Sequence, residues 1–148
     1  MISGKLIHLI ESHGDQIIHR VTEQIRRDPD MTHIRVAIGA ELPQWRQDFF
    51  ENLSHWLAAG NEETLAHRYE GVGRKRFEEN VPLDECVRGL CILREKMLDY
   101  VEEHILNKDS LELYAEEELD RRIGRFFDLV TIHLVRGYEQ ALRRAVAA

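Results

Sequence analysis

The chain has 148 residues, and its 27 acidic and 20 basic residues leave a formal charge of −7. That length fits one domain with a core able to stand without disulfide or metal staples. An acidic surface argues against general nucleic-acid binding, and no apolar run approaches the ~20 residues that span a bilayer.

The opening "MISGKLIHLIESHGDQ" has no basic start, long apolar centre or small-residue cleavage site, so no secretion signal is visible and the chain reads as cytoplasmic. Ser3 is placed to cap a first helix, whose apolar positions Leu6, Ile10, Ile17, Val21 and Ile25 keep helical spacing. Arg26 and Arg27 suit the negative end of its dipole, and "DPD" breaks it. In "MTHIRVAIGA" (31–40), Ile34, Val36 and Ile38 alternate as in a strand. A lone strand has no ladder partner, which leaves a packed linker or a short helical turn. Pro43 is pre-shaped for the first turn of a helix carrying Trp45, Phe49, Leu53 and Trp56, and Gly60 suits a left-handed stop.

Asn61 or Thr64 opens the next helix, predicted to run to about Glu79. In "RKRFEENVPLDECV" (74–87), Asn80 replaces Gly at a left-handed corner and Pro82 starts a new helix. Asp84 and Glu85 then lie in its favoured first turn. Leu83, Val87, Leu90, Met97 and Val101 line one face, and the helix ends near "LNKDS". A last long helix follows from about Ser110 or Glu116. Its inward positions are Leu119, Ile123, Phe126, Phe127, Val130, Leu134, Tyr138 and Leu142. The predicted fold is all-α: one domain, an antiparallel bundle of about five to six helices.

Catalytic and metal signatures are absent from the sequence. The eight histidines include no HExxH and no Glu-x-x-His, and "GVGRKR" (71–76) lacks the residues of a phosphate loop. Gly71 and Gly73 read instead as sites of close helix contact, with Arg74, Lys75 and Arg76 as a solvated basic face. Cys86 and Cys91 are five apart, about 140° around a helix, and read as buried free thiols of a reducing compartment. No enzymatic activity and no cofactor are expected, although a haem held by one buried histidine is an open alternative.

Three segments carry a family resemblance: "FFENLSHWLAAGNEE" (49–63), "HRYEGVGRKRFEENVPLDECVRGLCILREKMLDYV" (67–101) and "RRIGRFFDLVTIHLVRGYEQ" (121–140). Together they resemble the N-terminal domain of RsbRD-type proteins, co-antagonists of the RsbT kinase in bacterial stressosomes. Similar domains stand at the front of some sensor histidine kinases. The resemblance implies a helical, non-enzymatic signal-input or regulatory domain with a downstream kinase or STAS-type output partner. A helical dimerisation or adaptor module without ligand, and a haem- or metal-binding bundle, are the alternatives. The chain ends "EQALRRAVAA" with no helix stop, which suits a helix running on into an output domain or dimer stalk; a frayed end is the other reading. A homodimer through the first or last helix is expected, since two-fold association is common among such modules.

A ligand pocket is predicted in the last helix. Ile123, Phe126, Val130, His133 and Gly137 share a seam, which turns His133 toward the core. Gly137 removes a side chain one turn later, Tyr138 brings a hydroxyl, and His104 on the preceding helix would form a second polar wall. The alternative is that His133 is a satisfied core histidine and Gly137 only permits tight packing.

Overall fold

The computed structural model describes residues 3–58, 60–105 and 109–148. Among the described residues there are eight α-helices and no strand. The expected all-α class holds, but the expected count of five to six is corrected to eight.

The extra helices come from two breaks that tertiary packing imposes. The first helix divides at His13 into α1 (Gly4–Ser12) and α2 (Gly14–Arg27). At the break the ring of Phe50 lies where a Gly14 side chain would stand. His13 Nδ1 bonds the Leu9 carbonyl at 2.8 Å. Ser3 does not cap α1. It is fully buried, and its Oγ donates to Glu118 Oε1 at 2.7 Å, tying the start of the chain to the last helix.

The second set of breaks lies between residues 28 and 58. Asp28 accepts from the Asp30 N–H at 2.9 Å and caps a 3₁₀ turn, Pro29–Met31. Next comes α3 (Thr32–Gly39). Ile34 and Ile38 are four apart and both buried on one helical face, while Val36 is 79% exposed on the other. The apparent strand alternation was therefore a helical period of four. Both His33 N–H and Ile34 N–H donate to Oε1 of the buried Glu85, at 3.0 and 3.2 Å, so a distant helix caps this one. After α4 (Leu42–Trp45) the chain widens into one π turn, Arg46–Phe50, before α5 (Leu53–Leu57). The predicted single helix is thus two helices and a π turn. Adjacent Phe49 and Phe50 both enter the core there, with Phe49 tilted on Phe126 at 5.8 Å.

Three long helices make the frame: α6 (Glu62–Glu78), α7 (Leu83–His104) and α8 (Ser110–Ala147). The corner between α6 and α7 is as expected, with Asn80 at φ 60 and Gly60 at φ 92 before α6. The predicted end of α7 falls partly on residues 106–108, outside the described residues. Asp109 accepts from the Glu112 N–H at 2.9 Å and caps α8. Tyr69 meets Phe126 and Phe77 meets Tyr138, so α6 and α8, the most closely packed pair, run the same way rather than antiparallel as expected, and α7 is the connection that returns the chain. Gly73 abuts the Leu134 carbonyl and Gly137 abuts the Glu70 carbonyl, so the two backbones touch at their crossing. Gly71, two residues away, faces open space and makes no such contact.

Candidate functional site

Side chains from α2, α3, the α4 and π-turn segment, α6, α7 and α8 line a partly open cavity of about 300 Å³ beside this crossing. On α6, Tyr69, Val72 and Arg76 follow one another at helical spacing, with Arg68 at the rim. From α7 come Cys86, Gly89, Leu90 and Leu93, and α8 supplies Leu134. Ile25 of α2 and Ile34 and Ile38 of α3 add an aliphatic wall. Glu41, Gln44, Trp45, Asp48 and Phe49 close it from the α4 and π-turn segment. π turns recur at functional sites because they re-aim side chains that a regular helix would place elsewhere.

The polar groups here are paired with one another. Arg76 is 4% exposed and donates to Glu41 Oε2 and, at 2.8 Å, to Glu79 Oε1. Lys75 donates to Glu41 Oε1 at 3.0 Å. Burial works to raise the Glu41 carboxyl, but the hydrogen bonds from Arg76 and Lys75 outweigh it and hold it below the ordinary value. At the rim, Arg68 lies 3.9 Å from Asp48 and stacks 5.1 Å above the Trp56 ring. Burial pushes the Tyr69 hydroxyl up, so it stays a hydrogen-bond donor at neutral pH. Burial likewise pushes the Cys86 thiol up to about 11, which leaves it an unreactive thiol rather than a nucleophile.

The four residues predicted to form a pocket are distributed differently. His133 is buried as expected, 8% exposed, and its Nδ1 has no hydrogen-bond partner among the described residues. Gly137 leaves no gap, because the Glu70 backbone occupies the space beside it. The Tyr138 hydroxyl donates to the Val81 carbonyl at 2.7 Å and locks the α6–α7 corner. His104 stands at the other end of α7, roughly 30 Å from that corner at ~1.5 Å per residue. It is exposed, stacks on Tyr100 at 4.1 Å and lies 6.5 Å from His13. His133, Gly137 and Tyr138 therefore share one stretch of α8, and His104 does not join them.

The cavity residues escaped the sequence for identifiable reasons. Arg76 reads as part of a solvated face with Arg74 and Lys75, yet it continues the apolar row Leu65, Tyr69, Val72. That spacing of four, three and four was the available signal. The expected pair of buried thiols is corrected as well: Cys86 is buried and Cys91 is exposed. Among the described residues no three His, Cys, Asp or Glu side chains come together to hold a metal ion. No helix among them is long and apolar enough to cross a membrane.

No curated protein and no solved structure matches this chain. One family does, described as the RsbT co-antagonist protein rsbRD N-terminal domain, and the match runs over residues 15–148. It includes every cavity-lining residue and the Asn80 corner, and it covers most of the chain, which therefore belongs to the family of RsbT co-antagonist protein rsbRD N-terminal domains.

Proposed function

We propose that this domain is the non-enzymatic signal-input part of a bacterial stress-response or two-component sensor protein, and that its signal enters at the Arg76 cavity. The observation that carries this is the family match over residues 15–148; the cavity gives the signal a place to act. The cavity touches α2, α3, α4, α6, α7 and α8, so filling it biases the packing of all of them. Output passes through α8 to a kinase or STAS-type partner. The test is Gly89→Leu. A Cβ at Gly89 meets only Ile34, at an ordinary 3.8 Å, so a larger side chain there enters the cavity without a backbone clash. Carried by the full-length protein in its cell, this variant should keep its fold and lose its graded stress-reporter response. An unchanged response from a folded variant would remove the cavity from the signalling route.

The domain also acts as a homodimer through α8. Ile132 is 53% exposed, Leu142 44% and Val146 78%. With Val135 and Glu139 they recur at three- and four-residue steps, the seam of a coiled coil. Arg136 and Arg143 flank that seam, and Glu139 sits 3.5 Å from Arg143. Sedimentation at micromolar concentration should give twice 17.4 kDa, and Ile132→Glu with Leu142→Glu should halve it. A single species of 17.4 kDa from the parent chain would sink the dimer. A reporter that ignores Gly89→Leu but fails with the two glutamates would favour an adaptor without ligand.

A further inference from the structure

We propose that the Arg76 cavity takes a small, uncharged, mainly apolar molecule of two fused rings bearing one hydrogen-bonding group. This rests on the reading of that cavity as the signal site, and it names what enters.

Size comes first. A dry, apolar protein cavity of about 150 Å³ holds benzene. This one is about twice that, at about 300 Å³, which corresponds to roughly ten to fourteen non-hydrogen atoms. Shape follows from the walls. Trp45, Phe49 and Tyr69 bring aromatic rings to the lining, and Ile38, Leu90 and Leu93 are aliphatic. Planar rings stack on such faces at little cost in lost rotamers.

Charge decides the class. The charged side chains lining the cavity are Glu41, Asp48, Arg68 and Arg76, two of each sign. Glu41 already holds Arg76 and Lys75, Arg76 also holds Glu79, and Asp48 faces Arg68. An anionic ligand would have to take Arg76 from Glu41 and strand a partly buried carboxylate. A cation would have to displace Arg76 itself. Neither exchange repays its desolvation. A neutral ligand disturbs no ion pair, and the lining includes two uncharged hydrogen-bonding groups, the Gln44 amide and the Tyr69 hydroxyl, which also meets Arg68. The Asp48–Arg68 pair, the longest of the four at 3.9 Å, is the edge at which it enters.

The test compares two probes of one shape on the intact chain by calorimetry and thermal melting at neutral pH: 2-naphthol, which is uncharged, and 2-naphthoate, which is an anion. 2-Naphthol should bind at least about tenfold more tightly than 2-naphthoate and raise the melting temperature. Gly89→Leu should weaken 2-naphthol by about tenfold or more. Val72→Phe, at a lining position on α6, should do the same, so the locality test survives if one variant fails to fold. Equal or tighter binding of 2-naphthoate, lost in the filled variants, would overturn the ligand class and leave the cavity as the signal site. 2-Naphthol bound equally by parent and filled variants would place it elsewhere and overturn the proposal. Silence from both probes would overturn the class too, while the reporter response of Gly89→Leu judges the signalling role separately.

Discussion

Replacing Gly137 by alanine is expected to destabilise the protein by about 2 kcal/mol or more. In α8 this residue lies against the Glu70 carbonyl of α6, and a methyl group there would sit inside the carbonyl's contact radius. The obstacle is backbone, not the tip of a side chain, so no rotamer change relieves it. The helices must part along the interface where α6 and α8 lie closest, loosening Leu134 and Phe126 as they do. Overpacking of this kind costs about 3 kcal/mol or more. The alanine recovers about 1 kcal/mol of helix propensity, which does not offset that loss. Against a total stability of about 5–15 kcal/mol the remainder is large. Gly73→Ala meets the Leu134 carbonyl in the same way and should behave alike. Gly71→Ala, two residues off on the same helix, meets nothing within 4 Å and should be neutral or stabilising by up to about 1 kcal/mol. Urea titration of the three variants separates the cases. A Gly137→Ala midpoint equal to the parent's would show that the crossing is not held by backbone contact.

The contrast between those glycines marks where sequence reading stops. The corner at Asn80–Pro82 was legible because left-handed asparagine and the residue before proline obey local rules. The long helices were legible because their apolar rows keep one period over many turns. Gly71 and Gly73 look the same in sequence; which one meets a neighbour depends on how α6 is rotated against α8. The break at His13–Gly14 was invisible for a similar reason. The apolar period runs straight through it, and the Phe50 that packs against Gly14 there is distant in the sequence. The α3 segment misled because a period of four contains a period of two. The site was harder still. Arg76 sits in a run of three basic residues that reads as solvated, and Glu41, its partner, is thirty-five residues away. His104 and His133 both look inward on a helical wheel. A wheel shows direction around the axis but not position along it, and the two lie at different ends of the bundle.

Arg76→Met is expected to cost about 3 kcal/mol, with a pH signature that identifies its cause. The guanidinium is almost wholly buried and divides its donors between Glu41 and Glu79. Methionine keeps most of the stem's packing but leaves two carboxylates facing the space the charge occupied. Lys75 still serves Glu41 from the solvent side, which keeps the loss near the low end of what a broken buried pair costs. Arg76→Met combined with Glu41→Met removes the more buried of the two stranded carboxylates and leaves Glu79, so it should recover about half of the loss. The pH dependence follows from the Glu41 carboxyl, which the folded chain holds below its ordinary value of 4.5. Its contribution is therefore complete above that value, where the carboxyl is ionised in both states. It disappears as pH falls through the lower, folded value. Between neutral pH and about 5 the parent should exceed Glu41→Gln in stability by a constant margin, and below that the gap should close. Chemical unfolding at a series of pH values reads both effects. A margin that stayed constant into acid would mean that Glu41 acts by packing, and an Arg76→Met variant within about 0.5 kcal/mol of the parent would mean that the buried pair contributes nothing net. The same series bears on the ligand, because the paired charges that stabilise the empty fold are also those that turn a charged molecule away.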